Sequence, residues 1–266
     1  MIEQETEVFL NQALGPSLFL MGLRAPEISA ISRPGQFVMI RVGLSGDPLL
    51  RRPFAICAVR DKGRLFILYQ VVGRGTSMLS RVRSGDRLSV VGPLGRGFVL
   101  PEKRQAAVLA AGGMGIAPLF FLAERLDDRP RIFLAGFRSA GEAVPLDRLT
   151  AIGGPFPDIR VSTDDGSIGH HGFVTDMLRA AIHEIPQAGA VVYACGPVPM
   201  MKEAARLAKE KGMPCQVSLE TVMACGLGLC QGCAVNASER AGKKAYLRVC
   251  VEGPVFFAEE LDWQRL

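Results

Sequence analysis

Tryptophan, tyrosine and histidine are scarce in this chain of 266 residues, which has one Trp, three Tyr and three His. It also lacks any block of lysines or arginines, and its net charge of +5 is spread along the sequence. Nucleic-acid surfaces combine a basic cluster with stacking side chains, so this pattern argues against that class of protein. Two of the histidines, His170 and His171, are adjacent. Neighbouring side chains on a strand point to opposite faces, so these two cannot bind one metal ion together.

The chain also lacks an unbroken apolar run of membrane-spanning length. The segment from Ala106 to Ala123 has no charged residue and is long enough to consider as a transmembrane helix. However, Gly112, Gly113, Gly115 and Pro118 interrupt it, so a buried strand, a glycine turn and a helix fit these residues better. The first residues are acidic where a signal peptide would be basic and then apolar. With seven cysteines and no sign of secretion, we expect a protein of the reducing cytoplasm.

Residues 6 to about 100 contain short apolar and β-branched runs that are separated by turn signals. The runs include residues 37–42, 65–72 and 88–91, and Asp61-Lys-Gly63 is one of the turn signals. Strands of this length and spacing predict an antiparallel β-barrel.

From Ala106 the pattern changes to strands that alternate with helices. Strands are predicted at 107–111, 132–136, 159–161 and 190–194, and helices near 116–126, 141–151, 172–184 and 198–212. This alternation favours a doubly wound parallel α/β sheet. After Pro214 the pattern ends in a cysteine-rich loop and a short tail. The fold class is therefore a multidomain α/β plus β protein, with domains at 1–100, 101–212 and 213–266.

The cysteine-rich loop carries the most specific pattern in the chain. Its cysteines have the spacing C-x4-C-x2-C followed by a distant fourth, as in plant-type [2Fe-2S] proteins, and are Cys225, Cys230, Cys233 and Cys250. Intervening glycines would let backbone N–H groups approach the sulfurs. A structural zinc site is the alternative, although such sites generally pair two Cys-x-x-Cys knuckles and this chain has one.

Three further segments are candidates for nucleotide binding. Leu49-Leu-Arg-Arg-Pro-Phe-Ala-Ile56 could offer a guanidinium to a pyrophosphate, although charge before a strand is more often a solvated edge. Val71-Val-Gly-Arg-Gly-Thr-Ser-Met-Leu-Ser80 suits phosphate at a helix N-terminus, or is an ordinary capped turn. Gly112, Gly113 and Gly115 end a predicted parallel strand, at the edge where nucleotides bind. Cys195 alone is more typical of a buried apolar residue than of a catalytic one.

Taken in order, these motifs resemble the ferredoxin reductase superfamily and, within it, the electron-transfer subunits of dihydroorotate dehydrogenase B. The similarity extends from Arg33-Pro-Gly-Gln-Phe37 through Leu50-Arg-Arg-Pro53 and Gly73-Arg-Gly-Thr76 to Arg248-Val-Cys-Val-Glu-Gly-Pro-Val-Phe256. The resemblance implies that the barrel binds FAD, the α/β domain binds NAD, and the C-terminal module holds the [2Fe-2S] cluster.

The resemblance also implies contacts at particular residues. The FAD contacts would be Arg52, Pro53, Phe54, Ala55, Tyr69, Gln70, Val71, Gly75 and Thr76. The contacts with the nicotinamide dinucleotide would be Gly113, Met114, Gly115, Ala117, Pro118, Cys195 and Gly196. No side chain is expected to act as a catalytic acid or base. The sequence departs from the superfamily at Ala55, where a Ser or Thr hydroxyl commonly lies beside the flavin.

The implied activity is electron transfer in pyrimidine biosynthesis. Electrons would pass from the FMN of a catalytic partner subunit, which oxidises dihydroorotate, through the cluster and FAD to NAD⁺. Two copies of each subunit would form a heterotetramer, with Leu227 and Leu229 either in contact with the partner or shielding the cluster. Arg138 and Ser139 could accept a 2′-phosphate, so the residues themselves leave the choice between NAD and NADP open.

Two other functions fit parts of the sequence. The first keeps the cofactors and changes the partner, as in the small subunit of an NADH-dependent ferredoxin:NADP oxidoreductase, a sulfide dehydrogenase, or an oxygenase reductase. The second is a zinc-stabilised nucleotide sensor without electron transfer.

Overall fold

The N-terminal third of the chain forms a closed antiparallel barrel. A computed structural model describes residues 1–43, 47–126, 129–153, 159–185, 189–242 and 244–266. The barrel strands follow the order β1-β2-β5-β4-β3-β6, and are β1 (Ile2–Ala13), β2 (Leu18–Arg24), β3 (Phe37–Ile40), β4 (Arg52–Arg60), β5 (Arg64–Gln70) and β6 (Arg87–Leu94). Two short helices, α1 (Pro26–Ile31) and α2 (Arg74–Leu79), connect β2 to β3 and β5 to β6. The predicted barrel is therefore confirmed.

The second unit is a seven-stranded sheet in the order β10-β9-β8-β7-β11-β12-β15. Its strands are β7 (Ala106–Gly112), β8 (Arg131–Phe137), β9 (Ile159–Thr163), β10 (His170–His171), β11 (Ala190–Cys195), β12 (Cys215–Ser218) and β15 (Val255–Phe257). All pairs are parallel except that between β12 and β15. Its helices are α3 (Ile116–Glu124), α4 (Leu146–Gly153), α5 (Val174–His183) and α6 (Val198–Glu210), close to the predicted stretches.

Helices cover both faces of this sheet, because successive side chains of each central strand point to opposite sides. Val108 and Ala110 of β7 pack with residues of α5 and α6 on one face. Ala107 and Leu109 pack with residues of α3 and α4 on the other. The doubly wound arrangement predicted from the alternation is confirmed. Among the described residues, no helix combines the length and the apolar character needed to cross a membrane.

The C-terminal module leaves the sheet and returns to it. It contains a small antiparallel pair, β13 (Ala234–Asn236) and β14 (Tyr246–Arg248), and then β15 pairs with β12. The prediction that regular structure ends after Pro214 is wrong, because β12 continues the parallel sheet beside β11. The domain boundary at residue 212 therefore remains a proposal, since strands that follow it complete the sheet.

Candidate functional site

The structure brings the cysteines of the C-terminal module together as two pairs. The sulfurs of Cys233 and Cys250 lie 3.2 Å apart, because β13 and β14 pair just beside them. The Cys225 sulfur accepts hydrogen bonds from the N–H groups of Leu227 (3.4 Å) and Cys230 (3.5 Å). Electrostatic interaction between Cys225 and Cys250 links the two pairs. Across the described ranges, no three potential metal-binding side chains converge as they would around a single ion.

The surroundings of these sulfurs suit thiolates that are bound to a cation. Partial burial alone would raise the pKa of Cys225, but N–H groups of Cys230, Leu227 and Leu229 point at its sulfur and lower the pKa to about 6. Burial, reinforced by the neighbouring Cys233 sulfur, raises the pKa of Cys250 to about 12. Two sulfurs this close would repel each other when ionised, so a metal centre is the group that lets both be thiolates. The donor set therefore fits an iron-sulfur cluster.

The cysteine loop packs directly against the barrel. Gly226 has φ +70°, and a Cβ at this position would lie 2.7 Å from Cγ of Met39. Met39 is buried on β3 and pairs with Pro53 of β4. The loop that would hold the cluster thus contacts the strand next to the predicted flavin strand, which places the two candidate sites side by side.

The structure distinguishes the two adjacent arginines at the start of β4, whose first residue is Arg52. Arg51 is occupied within the barrel, where its guanidinium donates to Ser89 O (2.8 Å) and to Glu3 (2.5 Å). Arg52 instead reaches the first turn of α2. Its side chain lies so close to Gly75 that a Cβ on Gly75 would be only 2.8 Å from Nε of Arg52. Arg52, which is distant in sequence from Gly75 and Thr76, therefore places a guanidinium beside the first turn of a helix, a combination that suits a pyrophosphate.

Several predicted FAD contacts are not free side chains. Tyr69 is buried in the barrel, its hydroxyl donates to Asn11 Oδ1 (3.0 Å), and burial raises its pKa to about 12. Phe54 is 8% exposed, and its ring lies 5.7 Å from the Tyr69 ring. Both rings belong to the barrel core, so a flavin contact from Tyr69 can involve only its backbone. Gln70, one residue on, faces outward, and Ala55 is half-buried.

A cleft of about 1190 Å³ lies at the carboxyl ends of the parallel strands. Its floor includes Gly113, Met114, Gly115 and Gly196, so four of the predicted dinucleotide contacts come together. The glycine turn after β7 lies very close to the end of β11, since a Cβ on Gly115 would be only 2.0 Å from the carbonyl oxygen of Cys195. Glycine is therefore required at 115 to keep the turn and the neighbouring strand in contact.

The other predicted dinucleotide contacts lie behind this floor. Ala117 and Pro118 are buried in α3, and neither is among the residues that line the cleft. Cys195 is 1% exposed, and burial raises its pKa well above the usual value. The Cys195 thiol is therefore a buried packing group in this structure, and its backbone is the part nearest to the cleft.

Sequence reasoning missed one wall of the cleft. The turn between β1 and β2, residues 14–17, faces the glycine turn from the barrel side, and Val71 N donates to Ser17 O (2.7 Å). Glu220, which follows β12, also lines the cleft, and burial raises its pKa. No local motif marks these residues, because only the packing of the barrel on the sheet places them there.

Two family models match the chain. The iron-sulfur cluster binding domain of dihydroorotate dehydrogenase B matches residues 220–262, which include all four cysteines. The oxidoreductase NAD-binding domain matches residues 109–206, which include the glycine turn and Gly196.

Solved structures share the fold. The chain is 31% identical to the structure of an NADH-dependent reduced ferredoxin-NADP oxidoreductase, with a TM-score of 0.83 over 98% of this chain and 91% of that one. A ferredoxin NADP+ reductase from Neisseria gonorrhoeae, solved with bound FAD and NADP, has the same fold at 19% identity, with a TM-score of 0.64 over 79% of this chain and 92% of that one.

Similar proteins of known name agree with the resemblance seen in the sequence. The electron transfer subunit of dihydroorotate dehydrogenase B (NAD(+)) from Desulforamulus reducens is 39% identical over 98% of both chains. The subunit of the same name from Fusobacterium nucleatum is 35% identical over 95% of both chains. The chain therefore belongs to the family of electron transfer subunits of dihydroorotate dehydrogenase B.

Proposed function

We propose that this chain carries electrons from a catalytic partner subunit that oxidises dihydroorotate, through a [2Fe-2S] cluster and FAD, to NAD⁺. The observation that supports it most is the contact of the cysteine loop with β3, beside the strand that carries Arg52. An electron path needs its centres close together, and this contact brings the cluster site and the flavin site onto neighbouring elements of one fold.

Different residues would bind each of the three cofactors. Arg52 and the first turn of α2 bind the FAD pyrophosphate, and the four cysteines hold the cluster. Gly113, Met114, Gly115 and Gly196 form a floor on which the dinucleotide lies. FAD held beside Arg52 would supply a group able to exchange electrons singly or in pairs, as a path between a one-electron cluster and a two-electron hydride acceptor needs. The protein positions these groups and excludes water, so it needs no acid or base.

The charges at the cleft rim favour NAD over NADP. Arg138 lies there, and a guanidinium alone would suit a 2′-phosphate. However, the carboxylates of Glu142 and Asp164 line the same cleft. A 2′-phosphate beside them would be repelled, so we expect NADH to reduce the FAD more efficiently than NADPH does.

The partner surface surrounds the cysteine loop. Leu229 is 79% exposed and Leu227 is 40% exposed, so both present apolar surface next to the sulfurs rather than packing in a core. Val222 and Tyr246 of the same module are exposed as well. We propose that this patch docks on an FMN-loaded catalytic subunit, and that two copies of each subunit assemble.

The decisive experiment is to produce this chain with an FMN-binding dihydroorotate dehydrogenase subunit and assay dihydroorotate-dependent reduction of NAD⁺. We expect a stable complex with turnover, and a visible spectrum that contains both flavin and cluster. A complex fully loaded with FMN, FAD and cluster that shows no turnover would exclude this function. A colourless chain after anaerobic reconstitution would exclude electron transfer altogether and favour the zinc alternative.

A second candidate has a specific observation in its favour. The structural similarity to the NADH-dependent reduced ferredoxin-NADP oxidoreductase covers nearly the whole of both chains. In that case the chain would form the small FAD and [2Fe-2S] subunit of a similar enzyme. Reduction of NADP⁺ that depends on reduced ferredoxin and a different partner, with no response to dihydroorotate, would identify it.

A further inference from the structure

An ion pair lies beneath the cysteine loop and contacts it directly. Glu252 is 8% exposed, and its carboxylate accepts from Arg248 Nη2 (2.7 Å), Nε (3.0 Å) and the Arg248 backbone N–H (2.8 Å). Lys244 Nζ donates to the same carboxylate (3.2 Å). This is a two-pronged contact between a guanidinium and a carboxylate, which fixes the orientation of the guanidinium plane.

The remaining nitrogen of the Arg248 guanidinium contacts the cysteine loop. This nitrogen, Nη1, donates to the carbonyl oxygen of Gly228 (3.1 Å), which lies between Cys225 and Cys230 in the chain. Gln231 Nε2 donates to the same oxygen (3.2 Å). The Gly228 N–H, on the other side of the residue, donates toward the Cys250 sulfur. One residue therefore joins the ion pair to a cysteine ligand.

Close packing leaves Gly228 no freedom to turn away. Its φ is +81°, and a Cβ would lie 2.6 Å from Val251 Cγ2 and 3.2 Å from Arg248 Nη1. Arg248 itself is fixed by β14, whose end pairs with Ala234 next to Cys233. The cationic side chain thus lies near two of the four cysteines, because it interacts electrostatically with Cys233 and Cys250.

We propose that Arg248 and Glu252 are a positioning pair, which holds the Gly228 peptide toward the cluster and sets the cluster's reduction potential. This inference rests on the proposed function only in that the four cysteines hold a [2Fe-2S] cluster. Nearby charge and hydrogen bonds to sulfur are among the factors that set such potentials. A positive charge stabilises the reduced, more negative cluster, and a negative charge destabilises it.

Arg248 and Glu252 should shift the cluster's reduction potential in opposite directions. This difference in sign distinguishes a direct effect of charge on the potential from a purely structural role of the ion pair. Removing the cation in Arg248→Gln leaves Glu252 beside the cluster, so the potential should fall. Removing the anion in Glu252→Gln leaves Arg248 and Lys244, so the potential should rise. If the pair served only to hold the loop in place, both changes would loosen the same contacts and would shift the potential in the same direction or not at all.

The test is a redox titration of the purified full chain, reconstituted with iron, sulfide and FAD and monitored by electron paramagnetic resonance. Arg248→Lys is included because it keeps the charge while losing the two-pronged contact. We expect its potential to stay close to that of the unchanged protein, while iron is released to a chelator several times faster. If Arg248→Gln takes up no cluster, the other two variants still decide the question. A raised potential in Glu252→Gln together with an unchanged potential in Arg248→Lys would support the inference.

Arg240 and Glu259 provide the matched control, since they form an exposed ion pair in the same module (2.8 Å). Arg240→Gln and Glu259→Gln should leave the potential unchanged. Shifts of the same sign for Arg248→Gln and Glu252→Gln, or no shift in Glu252→Gln, would overturn the inference. If the unsubstituted protein shows no cluster signal, both this inference and the proposed function are overturned. If it shows a normal signal and dihydroorotate turnover but the variants have the same reduction potential as the unsubstituted protein, only this inference is overturned.

Discussion

Cys230 is the cysteine of the loop whose role is easiest to test, because its side chain is exposed and packs in no core. We expect Cys230→Ser to abolish the cluster spectrum and dihydroorotate-linked turnover, since a hydroxyl is a poor replacement for a thiolate ligand. FAD content and NADH-to-dye activity should remain, because the barrel and the cleft do not use Cys230. The measurements are the visible spectrum, the iron content and both activities.

Cys57 offers a comparison for that variant, as a buried thiol on β4. Cys57→Ala should keep the full iron content. Loss of FAD and NADH-to-dye activity along with the cluster in Cys230→Ser would mean that the loop supports the whole fold instead.

Gly115 is the glycine of the cleft at which an added Cβ would make the shortest contact. A methyl group at Gly115 would lie 2.0 Å from the Cys195 carbonyl oxygen, so Gly115→Ala must push the glycine turn away from β11. We expect a loss of about 1–3 kcal/mol in the free energy of unfolding, as for overpacked sites, and a raised KM for NADH. Gly141→Ala is the control, because a Cβ there has only Ser139 Oγ nearby, at 3.8 Å. Equal effects of both changes on KM would contradict this account of the turn.

The residue scale also shows where prediction from sequence reached its limit. The cysteine pattern selects four side chains at the spacing that cluster ligation demands, and the structure brings them together as two pairs. Tyr69 is different, since alternation along a strand says which residues share a face but not whether that face points into the barrel. The contact of Arg52 with Gly75 and the engagement of Arg51 by Glu3 likewise depend on strand pairing, which no local pattern specifies.

At the scale of elements, β4 of the barrel and α3 of the sheet domain are joined by one ion pair. Arg60 on β4 binds both carboxylate oxygens of Glu124 on α3, with Nη1 to Oε2 at 3.0 Å, and also donates to Ile152 O in α4. The two side chains are 21% and 12% exposed. Removal of one partner leaves a buried charge, so we expect Arg60→Met to cost about 3–5 kcal/mol in the free energy of unfolding, measured with denaturant.

This loss should depend on pH. Burial raises the pKa of Glu124 above 4.5 even though Arg60 counteracts it. Without Arg60 the pKa rises further, so the folded state holds the carboxyl protonated at pH values where the unfolded chain does not. The destabilisation is therefore smallest below pH 4.5 and grows as the pH rises through the folded-state pKa. Arg60→Met with Glu124→Met should be milder and nearly independent of pH, and an equal loss in the double variant would contradict the ion-pair explanation.

The elements that sequence analysis recovered are those with a strong repeating pattern. Apart from the two-residue strand β10, the strands and helices between residues 106 and 212 lie close to their predicted positions, because alternation of buried strands and helices is a pattern of long segments. The strands β12 and β15 were missed, since each is only three or four residues long. Their assignment depends on the neighbours with which they pair, and one neighbour of each lies far away in the chain.

On the scale of the whole molecule, the apolar patch at the cysteine loop predicts where the partner docks. We expect Leu229→Asp to weaken the complex with the catalytic subunit by at least tenfold in Kd, because a charge would be buried at the interface. Spectrum, FAD content and NADH-to-dye activity should not change. The complex can be measured by titration in an analytical ultracentrifuge.

Ile168→Asp is the matched control for the docking experiment. Ile168 is also an exposed apolar residue, 40% accessible, but it lies between β9 and β10 at the far edge of the sheet. It should leave the affinity unchanged. If Leu229→Asp binds the partner normally, the leucines serve to shield the cluster and the interface lies elsewhere.

The pairing of β15 with β12 brings the two ends of the cluster module together. Ser218 and Val255 lie opposite each other on paired strands, and Leu219 N donates to Pro254 O (2.9 Å). The whole segment between them therefore leaves and re-enters at adjacent points, as a hairpin loop does. The module is an insert rather than a tail, and its buried residues Val249 and Cys250 share one core with Met39 of β3 and Val217 of β12. A chain whose residues 220–253 are replaced by a short turn should therefore lose stability to denaturant as well as the cluster, because the replacement exposes that core, and an unfolding curve would reveal this.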